Sequence, residues 1–248
     1  EISTRDWSSD VCSSDLKAST SQYKYGTGSI AYVSGGDYLS INPTNLLEFG
    51  GGDFTIEFWW YPTATSRQGI YHGSFGADWS VGIDYSGVST NQKIGIWAST
   101  NGTSWNLINS DSGGNGIGTT TVTQNAWNHI AYVKSSSLQS LFLNGNIDAS
   151  GSITITTSDS GQSIRIGTSV NSNGSTNAPI AGYIDEFRIT KNVVRYTSSF
   201  TAPTAAFPNS INQYETKYIG SIGGLNDSNV DYGVEKLSDR SEEHTSEL

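Results

Sequence analysis

The chain is poor in basic residues, long apolar runs and methionine, and each scarcity narrows the classes of protein and partner that are possible. Lysine and arginine number 13 against 23 acidic residues, without basic clusters, which argues against nucleic acid or an anionic membrane as a partner. No apolar run approaches the ~18–20 residues of a membrane span, so we expect no membrane insertion. Methionine is absent, and we therefore expect an internal piece of a longer protein.

The two ends of the chain can be encoded by one oligonucleotide read in both directions. Residues 240–248, Arg-Ser-Glu-Glu-His-Thr-Ser-Glu-Leu, can be encoded by AGA TCG GAA GAG CAC ACG TCT GAA CT. The reverse complement of that string translates in one frame as Ser-Ser-Asp-Val-Cys-Ser-Ser-Asp-Leu, which is residues 8–16. We predict that residues 1–16 and 240–248 are scars of translated sequencing adapter, which do not enter fold reasoning. The alternative is a natural disordered tail at each end.

Removal of the predicted scars changes the composition. Acidic residues fall from 23 to 16 and basic residues from 13 to 11, so the net charge moves from −10 to about −5. The only cysteine, Cys12, belongs to a scar, so cysteine usage says nothing about the redox compartment. About 220 residues remain, which is enough for one domain with a sizeable core.

The remaining chain has the composition and the periodicity of a β protein. Glycine, serine, threonine and asparagine are abundant, which favours short strands joined by turns. In the run Phe54–Pro62 the even-numbered residues are apolar and share one face. In the run Ala181–Thr190 the same period places Asp185 on one face with Tyr183 and Phe187. About a dozen such strands predict an all-β fold, a two-sheet antiparallel jelly-roll sandwich.

Several short motifs stand in a fixed order along the chain. They are Gly-Gly-Asp-Tyr-Leu at 35–39, the strand at 54–62, Trp127 with His-Ile-Ala at 129–131, Leu-Phe-Leu-Asn-Gly at 141–145, the strand at 182–189, and Val-Arg-Tyr-Thr-Ser-Ser-Phe-Thr-Ala-Pro at 194–203. In this order they resemble the laminin G-like (concanavalin A-like) jelly-roll domain, most of all the copies on phage virion and marine microbial surface proteins. The resemblance implies one domain over 17–207, with a linker or the next module over 208–239.

The resemblance also implies a structural calcium ion on the last strand. In related glucanases and lectins the aspartate of this strand helps to hold Ca²⁺ against an early-strand carbonyl, and Asp185 stands at that place. Calcium takes six to eight oxygen ligands. Asp185, Asp37 and the carbonyls near residues 35–36 would supply some of them. The alternative is a buried carboxylate satisfied by backbone N–H groups or by Arg188 or Arg165.

The ligand-binding candidates surround a predicted hairpin. Asn101 is followed by glycine, which is a hairpin signal because type I′ turns need positive φ at both central positions. Trp97 and Trp105 flank this turn, and we expect both on the surface, where indole faces stack on sugars; packing within the fold is the alternative. Asn101, Asn106 and Asp111 offer hydrogen-bond partners to hydroxyl groups. The sequence therefore predicts a shallow, weak glycan site here.

We find no catalytic constellation in the sequence. Retaining glycosidases need two carboxylates about 5 Å apart, and the glucanases that the chain resembles place them as Glu-x-Asp-x-Glu on one strand, a motif absent here. We therefore predict a module that is not an enzyme and that binds a glycan or another cell-surface polymer. We expect it to work with other modules of a larger protein on a virion surface or in the extracellular space. The alternative is a purely structural display domain of a phage tail or other virion protein.

Overall fold

The structure is a computed structural model and describes residues 2–3, 12–13, 17–32, 36–41, 49, 51–73, 80–85, 91–100, 104–109, 116–154, 164–170 and 176–208. Within these ranges no helix is long and apolar enough to cross a membrane. The strands are β1 (Ile2–Ser3), β2 (Cys12–Ser13), β3 (Lys17–Ser19), β4 (Ser29–Tyr32), β5 (Tyr38–Ile41), β6 (Phe54–Pro62), β7 (Gln68–Gly73), β8 (Ser80–Tyr85), β9 (Ile94–Ser99), β10 (Ile108–Asn109), β11 (Asn128–Ser135), β12 (Leu138–Leu143), β13 (Asn146–Ser152), β14 (Ile164–Ile166), β15 (Ser169–Val170), β16 (Thr176–Asn177) and β17 (Gly182–Lys191).

The strands form two antiparallel sheets. The first sheet has the order β13-β12-β11-β6-β17-β4-β3, and β1 also pairs with β17. The second sheet has the order β10-β9-β8-β7-β14-β5-β2, and β15 and β16 form a separate small pair. Strands far apart in sequence lie side by side, such as β6 beside β17 and β7 beside β14. The predicted two-sheet antiparallel sandwich is confirmed.

Strand β6 illustrates how a period of two builds the core. Its even-numbered residues from Phe54 to Trp60 are fully buried in the main core, as their shared face predicts. Phe58 stacks on Phe187 of β17, with ring centroids 5.4 Å apart. Trp60 meets the ring of Tyr85 on β8 edge-on at 4.9 Å, which joins the first sheet to the second. Burial of each such side chain stabilises the fold by roughly 1.5–3 kcal/mol.

Strand β17 departs from simple alternation. Its pairing with β6 shifts register between Asp185 and Arg188, and Glu186 has a φ of 52°. A bulge inserts an extra residue, so side chains on its two sides change faces. Ile184 and Phe187 therefore both lie in the core, and Asp185 points away from it. The prediction that Asp185 shares a face with Phe187 is wrong for this reason.

The chain that follows β17 covers the outer face of the first sheet. We call residues 193–207 the C-terminal segment. The N–H of Phe200 donates to the carbonyl of Gly145 at 2.8 Å. Gly145 has a φ of +82°, and a Cβ there would lie 2.0 Å from the Phe200 carbonyl oxygen, so the close approach requires glycine. Apolar side chains of the segment pack on β11 and β12, namely Val194, Tyr196 and Phe200 on Ala131, Val133 and Phe142.

Candidate functional site

A row of side chains crosses the outer face of the second sheet. The pairing registers place Trp97 of β9, Gly82 of β8, His72 of β7 and Arg165 of β14 next to one another. Ser40 of β5 continues the row. The residues on both sides of Trp97, Gly82 and Arg165, and those before His72 and Ser40, belong to the core, so the row faces outward. At about 4.8 Å per strand, the row is about 19 Å long.

Two members of the row form a buried layer. His72 is 2% exposed and Trp97 is 4% exposed. The His72 ring lies over Gly82, where a Cβ would stand 2.7 Å from its Cδ2, so this arrangement needs a residue without a side chain. Burial, followed by the charges of Arg67 and Arg165, lowers the pKa of His72 to about 3. The imidazole is therefore neutral at physiological pH. The indole N–H of Trp97 is buried without a hydrogen-bond partner in the described part of the chain.

Half-buried side chains lie on top of this layer. The ring centroid of Trp105 is 5.6 Å from that of Trp97 and 5.2 Å from that of His72, which it meets edge-on. The guanidinium carbon of Arg67 is 5.2 Å from the Trp97 ring centroid, within cation–π range. Nη2 of Arg67 also lies 3.1 Å from Oδ2 of Asp84, a carboxylate that is 2% exposed. These contacts fix both Trp105 and Arg67 in place.

The other end of the row carries a second cation over an aromatic ring. The guanidinium carbon of Arg165 lies 5.1 Å from the ring centroid of Tyr38 on β5, and both residues are half-buried. We call four half-buried side chains of this face, which carry rings or positive charge, the outer patch: Trp105, Arg67, Arg165 and Tyr38.

The residues that were predicted to bind a ligand at the hairpin differ in burial and in hydrogen bonding. The expectation that Trp97 lies on the surface is wrong, because neighbouring rings and Arg67 bury it. Asn106 is exposed, but its amide closes the hairpin: Oδ1 accepts from the Thr100 N–H at 2.9 Å and Nδ2 donates to Thr100 Oγ1 at 2.8 Å. Asn101 and Asp111 lie outside the described residues.

Sequence reasoning missed three members of the outer patch, Arg67, Arg165 and Tyr38. The alternation of apolar residues in β5 and β14 marks Tyr38 and Arg165 as outward-facing. Their proximity to Trp105 comes from the order β9-β8-β7-β14-β5 in the second sheet, which no local pattern encodes.

Asp185 is surrounded by backbone N–H groups. Its Oδ2 accepts from Lys24 N–H at 2.8 Å and from Tyr25 N–H at 3.0 Å, and its Oδ1 accepts from Glu186 N–H at 2.8 Å. Asp37 is buried and directly precedes β5 of the second sheet, whereas Asp185 lies in β17 of the first.

These contacts match the hydrogen-bonded alternative to a metal site. Calcium needs six to eight oxygen ligands, and the donors around Asp185 do not fit that requirement. Over the described ranges, no group of three or more histidine, cysteine, aspartate or glutamate side chains is placed to hold a metal. Calcium at Asp185 and Asp37 stays a prediction of the resemblance, and the contacts of Asp185 favour the hydrogen-bonded alternative.

A cluster of buried charges lies beneath the C-terminal segment. Oε1 of Glu57 accepts from Nε and Nη2 of Arg188 at 2.9 and 2.5 Å, and Oε2 accepts from the Tyr196 hydroxyl at 2.8 Å. His129 Nε2 lies 3.4 Å from Oε2, and Arg195 Nε lies 3.5 Å from Oε1. Burial raises the pKa of Glu57, but His129, Arg188 and Tyr196 outweigh it, so the pKa is lower than usual. The cluster therefore holds the segment in place and is closed to a ligand.

The two antiparallel sheets, with one outer face covered and the other carrying the outer patch, define a two-sheet jelly-roll sandwich. The profile of the concanavalin A-like lectin/glucanases superfamily matches residues 33–195, more than half of the chain, and the chain belongs to this family. A comparison with curated protein sequences found no match.

Solved structures with the same fold are distant in sequence. Domain 4 of an extracellular arabinanase from Geobacillus stearothermophilus, in complex with arabinotriose, matches with a TM-score of 0.53 and 14% identity, over 71% of this chain and 75% of that chain. The CBM40 domain of a Ruminococcus gnavus sialidase, bound to α2,3-sialyllactose, gives 0.43 and 14% over 64% and 91%. The Caenorhabditis elegans galectin LEC-6 gives 0.39 and 15% over 64% and 94%. At these identities the likeness concerns the fold alone.

Proposed function

We propose that the chain is a non-catalytic glycan-binding module whose site is the outer patch. The observation that carries this proposal is the difference between the two outer faces. On the first sheet, the C-terminal segment packs over β11 and β12. On the second sheet, Trp105 is half-buried and packs on the buried rings of Trp97 and His72. We further propose that the larger protein to which the chain belongs acts outside the cell or on a virion surface.

The chemistry of the outer patch suits a shallow sugar site. An indole held edge-on to His72 keeps a fixed ring plane on which the apolar face of a sugar stacks. Arg67 supplies donors for sugar hydroxyl groups beside Trp97, and Tyr38 supplies one at the other end of the row. Such a site orients its ligand with few polar groups, so single-site affinity is weak and useful binding depends on several copies. The arabinotriose complex of the similar arabinanase domain is consistent with this use of the fold.

The acidic residues of the described strands support a non-catalytic role. Retaining glycosidases need two carboxylates about 5 Å apart on either side of the bond to be cleaved. Glu57 is fully buried and bonded to Arg188. Glu186 is also buried, and its Oε2 accepts from the Phe207 N–H at 2.5 Å. Both carboxylates therefore serve the fold.

The test is a glycan array probed with the biotinylated protein assembled on streptavidin, because multivalent display is needed to detect weak sites. We expect a defined set of glycans to bind the parent protein. Trp105→Ala should reduce their signal to background, since the ring that stacks on the sugar is lost.

Tyr23→Ala is the matched control, because Tyr23 is an aromatic residue with 46% exposure that lies outside the outer patch. This variant should bind as the parent does. Binding that survives Trp105→Ala would move the site elsewhere. Absence of binding in all three proteins would overturn the proposal and favour a structural display domain.

A further inference from the structure

We propose that the outer patch selects acidic saccharides, with Arg165 receiving the carboxylate of a uronate unit while a neighbouring sugar stacks on Trp105. This inference rests on the proposed function and names its ligand class. It follows from the charges at the surface of the second sheet and from the length of the row.

The accessible layer of this face is cationic and aromatic. Of its four members, Arg67 and Arg165 carry positive charge, and Trp105 and Tyr38 carry rings. Among the outward-facing residues of the described strands of the second sheet, the one carboxylate is that of Asp84. It is 2% exposed and faces Arg67. A ligand on this face therefore meets guanidinium groups and no accessible carboxylate of these strands.

The two guanidinium groups lie on either side of one point, His72. Arg165 is directly opposite His72 in the β14–β7 pairing, and Arg67 reaches Trp97, which is two positions from His72 along the row. Their charges act together on His72, since both depress its pKa after burial does. Two positive charges that reach one neutral side chain create a local positive potential there.

The geometry of Arg165 suits a carboxylate. A planar guanidinium group binds carboxylates through two parallel hydrogen bonds. The Tyr38 ring beneath Arg165 supports the guanidinium from one side, so less side-chain freedom remains to be lost on binding. The position along the sheet sets the ligand size. Trp105 contacts both Trp97 and His72 and so lies over β8, between them. From β8 to Arg165 on β14 the row spans two strand steps, about 10 Å, so the stacked sugar and the acidic sugar are neighbouring units of one chain.

The acidic net charge of the whole protein does not oppose this selection. The formal charge is −10, but charges farther away than a Debye length of about 8 Å are largely screened at physiological ionic strength. Selection between a neutral and an acidic sugar therefore depends on the charged groups near the ligand, and in the described part of the outer patch these are Arg67 and Arg165.

The experiment compares polygalacturonate with the same polymer after chemical reduction of its carboxyl groups, by titration calorimetry with the full chain. The two polymers share linkage and length and differ in the charged group. We expect the acidic polymer to bind roughly tenfold tighter per site, a difference of about 1.4 kcal/mol. That preference should shrink as added salt shortens the Debye length from about 30 Å to about 3 Å.

Arg165→Gln tests the assigned residue. It should abolish the preference for the acidic polymer, so that the two polymers bind with equal affinity. Lys93→Gln is the matched control. Lys93 is a half-buried cation that directly precedes strand β9 of the second sheet and lies outside the row. It should keep the preference. Far-ultraviolet circular dichroism of each variant checks that the sandwich is intact.

Each outcome separates this inference from the proposed function. Equal binding of both polymers, lost in Trp105→Ala, would overturn the selection of acidic sugars and keep the glycan site. A preference that survives Arg165→Gln would overturn the role of Arg165. If neither polymer binds, neutral glycans that bind in a Trp105-dependent way on the array would keep the proposed function and overturn this inference. Silence on the array as well would overturn both.

Discussion

The Tyr196 hydroxyl donates a 2.8 Å hydrogen bond to Oε2 of Glu57, a carboxylate with 0% exposure that lies 139 residues earlier in the chain. The bond joins the C-terminal segment to the centre of the first sheet. Because the phenol belongs to the segment and the carboxylate to β6, the segment is packed as part of the sandwich. The outer patch lies on the outer face of the other sheet, the second.

Removal of this bond should weaken the fold. Tyr196→Phe keeps the ring stacking on Phe200 at 3.5 Å and removes the hydroxyl. A hydrogen bond to a charged group contributes about 1.5–3 kcal/mol, and we expect a loss of that size in the free energy of unfolding measured in urea. Tyr23→Phe, at an exposed position, should show no loss. Equal stability of the two variants would mean that the bond to Glu57 does not hold the segment.

Acid should destabilise the domain through Glu57. Its pKa in the folded protein lies below the ordinary value of 4.5, so the unfolded chain binds the proton more readily than the folded one. The resulting stability is complete above about pH 4.5 and is lost as the pH falls through the lower folded pKa. Urea unfolding from about pH 7 to about pH 3 should show this loss.

Glu57→Gln provides the comparison for the acid effect. The variant should be less stable than the parent at neutral pH by about 3–5 kcal/mol, because Arg188 loses its buried partner. Its free energy of unfolding should also fall less steeply with acid than that of the parent. Parallel curves for the two proteins would assign the acid sensitivity to other carboxylates.

Gly145 should tolerate alanine far less than another glycine with positive φ. At Gly145, with a φ of +82°, a Cβ would stand 2.0 Å from the carbonyl oxygen of Phe200 in the C-terminal segment. At Gly36, with a φ of +121°, a Cβ would meet nothing within 4 Å. Both substitutions destabilise the fold by more than about 1 kcal/mol through backbone strain. Only Gly145→Ala also displaces the C-terminal segment. Equal thermal midpoints of the two variants would contradict the close contact between Gly145 and Phe200.

Calcium and Asp185 can be tested together. Because three N–H groups already donate to Asp185, we expect the thermal midpoint of the parent to be the same in calcium and in a chelator. Asp185→Asn should lower the midpoint in both conditions, since an amide replaces an oxygen acceptor with a donor. A midpoint that rises with calcium in the parent and not in Asp185→Asn would establish the structural calcium ion instead, because an ion bound only to the native state stabilises it.

The predicted adapter scars should be dispensable. Residues in β1 and β2 pair with β17 and β5, but each of these strands supplies only two residues. A chain of residues 17–239 should unfold within about 0.5 kcal/mol of the full chain, roughly one to two degrees in midpoint for a domain of this size. A much larger loss would show that the ends belong to the protein.

The sequence predicts which side chains of a single strand share a face. It does not predict which strands lie next to one another. The bounds of β6 and the inward face from Phe54 to Trp60 follow from period two, because successive side chains of a strand point to opposite faces. The same rule failed at Asp185, since one residue at positive φ, Glu186, shifts every later side chain. Glutamate adopts a positive φ only rarely, so the residue type at position 186 does not predict that conformation.

The sequence by itself determined that the chain is an all-β sandwich, that Phe54–Pro62 is one of its strands, and that Trp105 lies beside a hairpin, because alternation and turn residues act over short stretches of the chain. The tertiary structure decided which outer face is covered and which residues surround Trp105. Trp97, His72 and Arg165 come together because β9, β8, β7, β14 and β5 pair in that order. Pairing between strands distant in sequence is selected by packing of the whole core and by register, so the burial of Trp97 and the place of Arg165 have no local signal.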